Sequence, residues 1–207
     1  MKIKICGMGT PENIIDVAGL KPDYLGFIFF EKSVRNFTGE MPVLNASIKK
    51  TGVFVDASFD FVKEKVEEFD FQAVQLHGKE SSDFCRKVKR LGIEVFKVFS
   101  VKSDFDFTRL NEYEGIVDCF LFDTKGEHPG GNGKTFDWQV LKNYNSQTPF
   151  ILSGGIGMDE VNEVREITRS GLPIHALDLN SKFENKPAEK NIERLKEFLN
   201  KIKVNSQ

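Results

Sequence analysis

The chain is expected to fold as an α/β protein of the compact (β/α)8 barrel type, the TIM barrel, and three features of the sequence lead there. Short apolar runs alternate with amphipathic segments from one end of the chain to the other. Eight such strand-and-helix units can be counted in 207 residues, and strict alternation implies parallel strands joined by right-handed crossovers. No Pro/Ser-rich or low-complexity stretch divides them, so a single domain over 1–207 is expected. Eight units allow an open doubly wound sheet or a closed barrel, and closure is the natural outcome at that number. Barrels commonly run to about 250 residues, so the loops here must be short.

The first strand is read at Ile3–Cys6. The helix after it opens with Thr10 as N-cap and Pro11 at the first helical position, where the missing N–H has no intrahelical partner to lose, and closes near Gly19. Tyr24–Phe30 is the second strand, and a polar loop, Glu31–Thr38, leads to a short helix near Met41–Ser47. The third unit pairs Gly52–Val55 with a helix at Ser58–Phe69, where Phe61, Val62, Val66 and Phe69 are spaced for one buried face. In the fourth, Ala73–Leu76 precedes Ser81–Leu91, with Phe84, Val88 and Leu91 turned inward. The last four units pair Glu94–Phe99 with Phe105–Tyr113, Cys119–Phe122 with Phe136–Tyr144, Phe150–Leu152 with Asp159–Ser170, and Ala176–Leu179 with Ala188–Ile202.

Composition removes several classes of function. Lysine and arginine number 29 against 31 acidic residues, a net charge of −2, and no dense basic block stands out, so no nucleic-acid partner is expected. The longest apolar runs are strand-length and the first residues carry charge where a signal peptide needs an apolar stretch. No membrane partner and a cytoplasmic location follow. Three cysteines without a C-x-x-C pair argue against a disulfide framework or a zinc site. His77, His128 and His175 form no ligand cluster by spacing, and no metal site is expected.

In a barrel the chemistry gathers at the C-terminal ends of the strands. Those ends read Cys6-Gly7, Ser33 to Arg35, Asp56, His77-Gly78, Ser100, Asp123, Ser153-Gly154-Gly155 and Asn180-Ser181. Asp123 follows four apolar residues and precedes a loop with four glycines in ten positions. A carboxylate there must find a partner or have its pKa raised until it holds a proton. Cys6 differs from Cys85 and Cys119, which sit within apolar faces, because it ends a strand beside Gly7 and puts its sulfur at the barrel mouth. It needs a positive field or a helix N-terminus to act as a thiolate. The small residues at 153–157 are a flexible turn or, given their place after the seventh strand, a phosphate cradle. Arg35 has the planar fork that grips a carboxylate, or is solvated. Gly130–Thr135 falls short of a nucleotide P-loop, because the first glycine of that pattern would stand at His128; Lys134 faces an anionic substrate or water.

Taken in order, K-I-C-G-M at 4–8, G-F-I-F-F with S-V-R at 26–35, G-V-F-V-D at 52–56, V-Q-L-H-G at 74–78, L-F-D with G-G-N-G-K-T-F-D-W at 121–138 and L-S-G-G-I at 152–156 resemble the phosphoribosylanthranilate isomerase family of tryptophan biosynthesis. The resemblance runs from the first strand to the last. It implies an aldose–ketose isomerase, an intramolecular oxidoreductase, which converts N-(5-phosphoribosyl)anthranilate to the 1-deoxyribulose 5-phosphate product by an Amadori rearrangement with no cofactor. It further implies Asp123 as general acid and Cys6 as general base, with the N-terminal end of a neighbouring helix expected to favour the thiolate. Arg35 would hold the anthranilate carboxylate, and Gly154, Gly155, Asn180 and Ser181 would bind phosphate. For Asp178, orientation of polar substrate groups and an ordinary buried carboxylate both remain open.

The sequence departs from the family pattern at Val34, often proline, at Lys182, often glycine, and at Pro187-Ala188-Glu189-Lys190-Asn191, where P-G-x-K-D is common. Lys182 thereby brings a possible charge to the phosphate loop. The competing readings are another phosphosugar barrel, such as an indole-glycerol-phosphate synthase needing a lysine at a strand end, and a catalytically silent binding module. A phosphorylated small molecule is the expected partner, and the chain is expected to act as a monomer or homodimer.

Overall fold

Eight parallel strands close into a barrel in the computed structural model, which describes residues 1–124 and 138–203. The strands are β1 (Lys2–Cys6), β2 (Tyr24–Phe29), β3 (Lys49–Phe54), β4 (Ala73–Leu76), β5 (Glu94–Val101), β6 (Cys119–Thr124), β7 (Phe150–Ser153) and β8 (Ile174–Leu179). β8 pairs back onto β1, with Lys4 opposite Asp178, and this seam completes the ring. Side chains alternate inward and outward along each strand. Tyr24, Ala73, Phe96, Val98, Cys119, Leu121, Ile151 and Ala176 fill the interior, while a larger apolar layer lies between the strands and their coverings.

Helices α1 (Pro11–Ala18), α2 (Phe59–Phe69), α3 (Ser82–Lys89), α4 (Val161–Thr168) and α5 (Ile192–Lys203) supply that outer layer. Thr10, Ser58 and Ser81 cap the first three by accepting from backbone N–H groups. The helix expected at Met41–Ser47 does not form; the segment is extended and ends in a turn in which Asn45 Oδ1 accepts from the Ser47 N–H. Pro42 removes a donor and Val43 is fully exposed, so only Met41 and Leu44, both partly buried, pack on the core. Phe37 covers the strands in its place, packing on Phe27 and Phe29. A groove of ≈ 700 Å³ has Phe29, Phe37, Phe61 and Phe69 in its walls.

Two further expected helices are tighter 3-10 turns, at Phe107–Tyr113 and Trp138–Asn143. The first carries Phe107, Leu110 and Tyr113, a three-residue spacing that suits a 3-10 turn. The final helix starts at Ile192 rather than Ala188, because residues 184–190 form a small antiparallel hairpin, β9 (Glu184–Lys186) and β10 (Glu189–Lys190). Ala188 turns this strap with φ +66°, in the left-handed region, and packs against Gly9 of the β1 loop. No described helix is long and apolar enough to cross a membrane.

Candidate active site

The inward alternation of β1 puts Lys2, Lys4 and Cys6 on the barrel interior, an arrangement that would bury two charges and a thiol in an apolar lumen without partners. Lys4, fully buried, donates to Asp178 Oδ1 across the seam at 2.9 Å. The Ser153 hydroxyl donates to the other carboxylate oxygen at 3.3 Å. Asp178, left open as a substrate-orienting group or a buried carboxylate, is thus an ion-paired carboxylate two residues below Asn180 on the same face of β8. Cys6 pairs with Gly26 of β2, and the sulfur lies where a side chain on Gly26 would be: an added Cβ would stand 2.7 Å from Sγ. That glycine is required by the close approach.

Cys6 is buried, and burial pushes its thiol pKa up. Lys4 pulls it down, Asp178 pushes it up, and Lys190 pulls it down. Lys4 and Lys190 are thus the positive charges that act on the sulfur, and burial outweighs them, so the pKa stays raised; α1 begins five residues beyond, at Pro11. Cys85 and Cys119 each feel one lysine, Lys97 and Lys2 respectively, and burial still holds each at about 12.

Asp123 ends β6 between Ser100 of β5 and Ser153 of β7 in register. Its Oδ2 is 3.7 Å from His77 Nε2. Gln75 Nε2 approaches His77 Nδ1 at 3.2 Å; with the amide as donor, the imidazole proton sits on Nε2 and faces Asp123. The His77 loop is held from behind by Glu80, which accepts from the backbone N–H groups of Asp56 and Gly78 and from the buried Lys97. The costly carboxylate read from the sequence thus has polar neighbours on three strands.

Arg35 already grips a carboxylate, but one from its own chain. Its Nε donates to both oxygens of Glu184 at 2.9 and 3.0 Å, and Nη2 donates to Oε2 at 2.6 Å. Lys190 donates to Glu184 Oε1 at 2.6 Å and to Asn180 Oδ1 at 2.7 Å. Burial alone would raise the Glu184 pKa, yet the hydrogen bonds from Arg35 and Lys190 outweigh it and hold the carboxyl below its usual range. The other terminal nitrogen of Arg35, Nη1, makes no hydrogen bond to Glu184.

Gly154 and Gly155 turn the β7 loop with φ of +92° and +69°. Asn180 and the exposed Ser181 open the β8 loop, a 3-10 turn at Ser181–Phe183. The strands are neighbours, and the two loops touch, with the Lys182 stem 3.1 Å from where a Gly157 Cβ would lie. Lys182 is exposed and draws down the pKa of buried Glu160, which burial raises. Val34, at the position often proline in the family, is exposed.

Sequence reasoning missed Lys4, Lys190, Glu184 and the contact of His77 with Asp123. Lys4 was detectable, as a charge at an inward position of a buried strand two residues before Cys6. Lys190 and Glu184 were not, because a hairpin too short to carry a periodicity delivers them. The glycine-rich loop after Asp123, with His128 and Lys134, lies outside the described residues.

The sequence pattern of N-(5'-phosphoribosyl)anthranilate isomerases matches residues 3–201 of this barrel, strand ends included. The chain belongs to this family. Its similarity to the N-(5'-phosphoribosyl)anthranilate isomerase of Parabacteroides distasonis is 41% identity over 98% of this chain and 93% of the relative. To that of Phocaeicola vulgatus it is 39% over the full length of both. Among solved structures, phosphoribosyl anthranilate isomerase from Thermotoga maritima superposes with a TM-score of 0.84 at 29% identity, covering 98% of each chain. A phosphoribosyl anthranilate isomerase in complex with reduced 1-(o-carboxyphenylamino)-1-deoxyribulose 5-phosphate does so with a TM-score of 0.81 at 27% identity, again over 98% of each. Membership in this isomerase family makes the chain an enzyme of tryptophan biosynthesis and removes the indole-glycerol-phosphate synthase reading. Lys4, the interior lysine, lies mid-strand and is bound to Asp178 rather than standing at a strand end.

Proposed function

We propose that this chain, as a single domain, performs the Amadori rearrangement of N-(5'-phosphoribosyl)anthranilate with Asp123 as general acid and Cys6 as general base. The observation that carries the assignment is a carboxyl group and a thiol at the same barrel mouth, each flanked by groups able to set its protonation: His77 beside Asp123, Lys4 and Lys190 beside Cys6. Asp123 gives its proton to the furanose ring oxygen as the C1–O bond breaks, and the nitrogen lone pair closes a Schiff base. Cys6 then takes the C2 proton, the electrons neutralise the iminium as an enolamine, and tautomerisation gives the ketone. Arg35, with Nη1 uncommitted to Glu184, receives the anthranilate carboxylate. The backbone N–H groups of Gly154 and Gly155 and the polar groups of Asn180 and Ser181 receive the phosphate. Asp178 keeps Lys4 in place under Cys6. The substrate class fits a cytoplasmic enzyme, and one named relative structure describes a dimeric protein; we infer a monomer or homodimer here.

The test is turnover. Purified protein should accelerate the loss of phosphoribosylanthranilate fluorescence; decay no faster than the spontaneous rate would sink the assignment. Cys6→Ala and Asp123→Asn should each lower kcat on the order of 10² to 10⁴ with the fold retained, and an unchanged kcat removes that residue from its role.

A further inference from the structure

Two sets of buried charge adjoin Cys6, and they differ in sum. Lys4 and Asp178 pair at 2.9 Å with side chains 0% and 5% exposed, and together carry no net charge. Arg35, Glu184 and Lys190 form the second set, in which two cations share one carboxylate. Among the described residues, the other side-chain partner of the Lys190 ammonium is the neutral Asn180 Oδ1, so a surplus positive charge remains at a fully buried side chain. This set reaches the end of β1 because Gly7, at φ +77°, has no side chain: an added Cβ would lie 2.8 Å from Asn180 Oδ1 and 2.9 Å from Arg35 Cδ.

We propose that Lys190 is a positioning residue of the reaction, its ammonium pinned by Glu184 and Asn180 as the counter-charge that sustains Cys6 as a thiolate for proton abstraction. The inference rests on Cys6 being the base. With the sulfur ionised, the charges of Lys4, Arg35 and Lys190 balance those of Asp178, Glu184 and Cys6; with a neutral thiol the cluster keeps a buried surplus, which is unfavourable. Burial is the largest influence on the thiol and leaves its pKa raised, Asp178 adding to the rise while Lys4 and Lys190 oppose it; the two ammonium groups are what the thiolate has in its favour. The attraction is mutual: burial, with Arg35, depresses the Lys190 pKa, and Glu184 and Cys6 oppose that depression without cancelling it. The rival role, a tie between the strap and the barrel, is met by the Lys190 backbone, whose N–H donates to Asn13 Oδ1 and whose carbonyl accepts from Asn13 Nδ2. Removing the side chain leaves those bonds in place.

The measurement is the pH dependence of kcat/KM, whose acid limb reports ionisation of the base in the free enzyme. In Lys190→Met that limb should move to higher pH by about one unit, so that below it kcat/KM falls on the order of tenfold relative to wild type, and Lys190→Arg should bring the limb back. A loss of activity with the limb unmoved would make Lys190 a structural tie and overturn the proposal. Should Lys190→Met not fold, Lys190→Gln keeps donors for Glu184 and Asn180; the same displacement is expected, and an unmoved limb is equally fatal. The parent reading fails separately: a fully active Cys6→Ala overturns the base assignment and this proposal with it, whereas an inactive Cys6→Ala with an unmoved Lys190→Met limb overturns the proposal alone.

Discussion

At the N-terminal end of the barrel, Tyr24 is bonded to Glu94 and His175, Lys49 pairs with Glu94, and Lys2 reaches the Tyr24 hydroxyl at 3.4 Å. At the C-terminal end, Cys6, Asp123 and Arg35 stand among Lys4, Asp178, His77, Glu184 and Lys190. Both ends mix cations, carboxylates and a histidine. The lower network joins the starts of β1, β2, β3, β5 and β8 around a hydroxyl, and burial and Glu94 hold Tyr24 far above its ordinary pKa, so it stays neutral. In the upper one, Lys4, Arg35 and Lys190 face the carboxylates of Asp178 and Glu184, which leaves one positive charge beside the Cys6 thiol before Asp123 is counted. If Asp123 and Cys6 act as proposed, charge in this barrel interior serves as a closure at one end and as a set of proton-transfer groups at the other.

Substitutions at the two ends should separate these roles. The largest effect belongs to Asp123→Asn, with kcat lowered on the order of 10² to 10⁴ and a thermal midpoint close to wild type; a midpoint that falls together with kcat would put Asp123 in the structural class. Next comes Tyr24→Phe, which leaves Glu94 and His175 without their hydroxyl partner. Denaturant unfolding should show a loss of about 1–3 kcal/mol while kcat and KM stay at their wild-type values. Altered kinetics would show that the lower end is not independent of the mouth.

The strap gives a smaller effect of opposite sign. Ala188 sits at φ +66°, and Ala188→Gly should stabilise the protein by about 1 kcal/mol, the left-handed penalty less the added chain entropy. Unfolding of the two forms side by side measures it. The smallest effect is in the pH dependence of stability. Burial, with Lys2 and Lys49, lowers the His175 pKa against the opposing pull of Glu94 and Asp23. Above the unfolded value near 6.5 this histidine is neutral in both states and its contribution is complete. As pH falls through that value toward the folded one, the unfolded chain takes the proton first and stability declines. Midpoints measured from pH 7.5 down to 5.5 should decline less in His175→Gln than in wild type.

The strands and their ends were legible because a buried strand must be apolar throughout and a polar residue at its end has few reasons to be there. Cys6, Asp123, Asn180 and the 153–155 turn were found that way. What pairs with them was not legible. Arg35 and Glu184 are 149 residues apart, and Lys190 reaches Asn180 only because a hairpin folds back; no local pattern encodes either contact. Helix expectations failed for a related reason. Met41–Ser47 offers only Met41 and Leu44 to the core, and an aromatic side chain from the preceding loop, Phe37, covers the strands instead. Phe105–Tyr113 is helical, but its three-residue spacing favoured the tighter turn.

The ion pair across the seam also bears on how the chain is made. Lys4 and Asp178 are separated by 174 positions. At roughly 5–20 residues per second the ribosome delivers the second about 9–35 s after the first. During that interval, enclosing Lys4 would strand a charge away from water at a cost of several kcal/mol. The nascent first strand is thereby kept hydrated until the last one arrives, and a chain that stops short of β8 has no means of sealing its lumen.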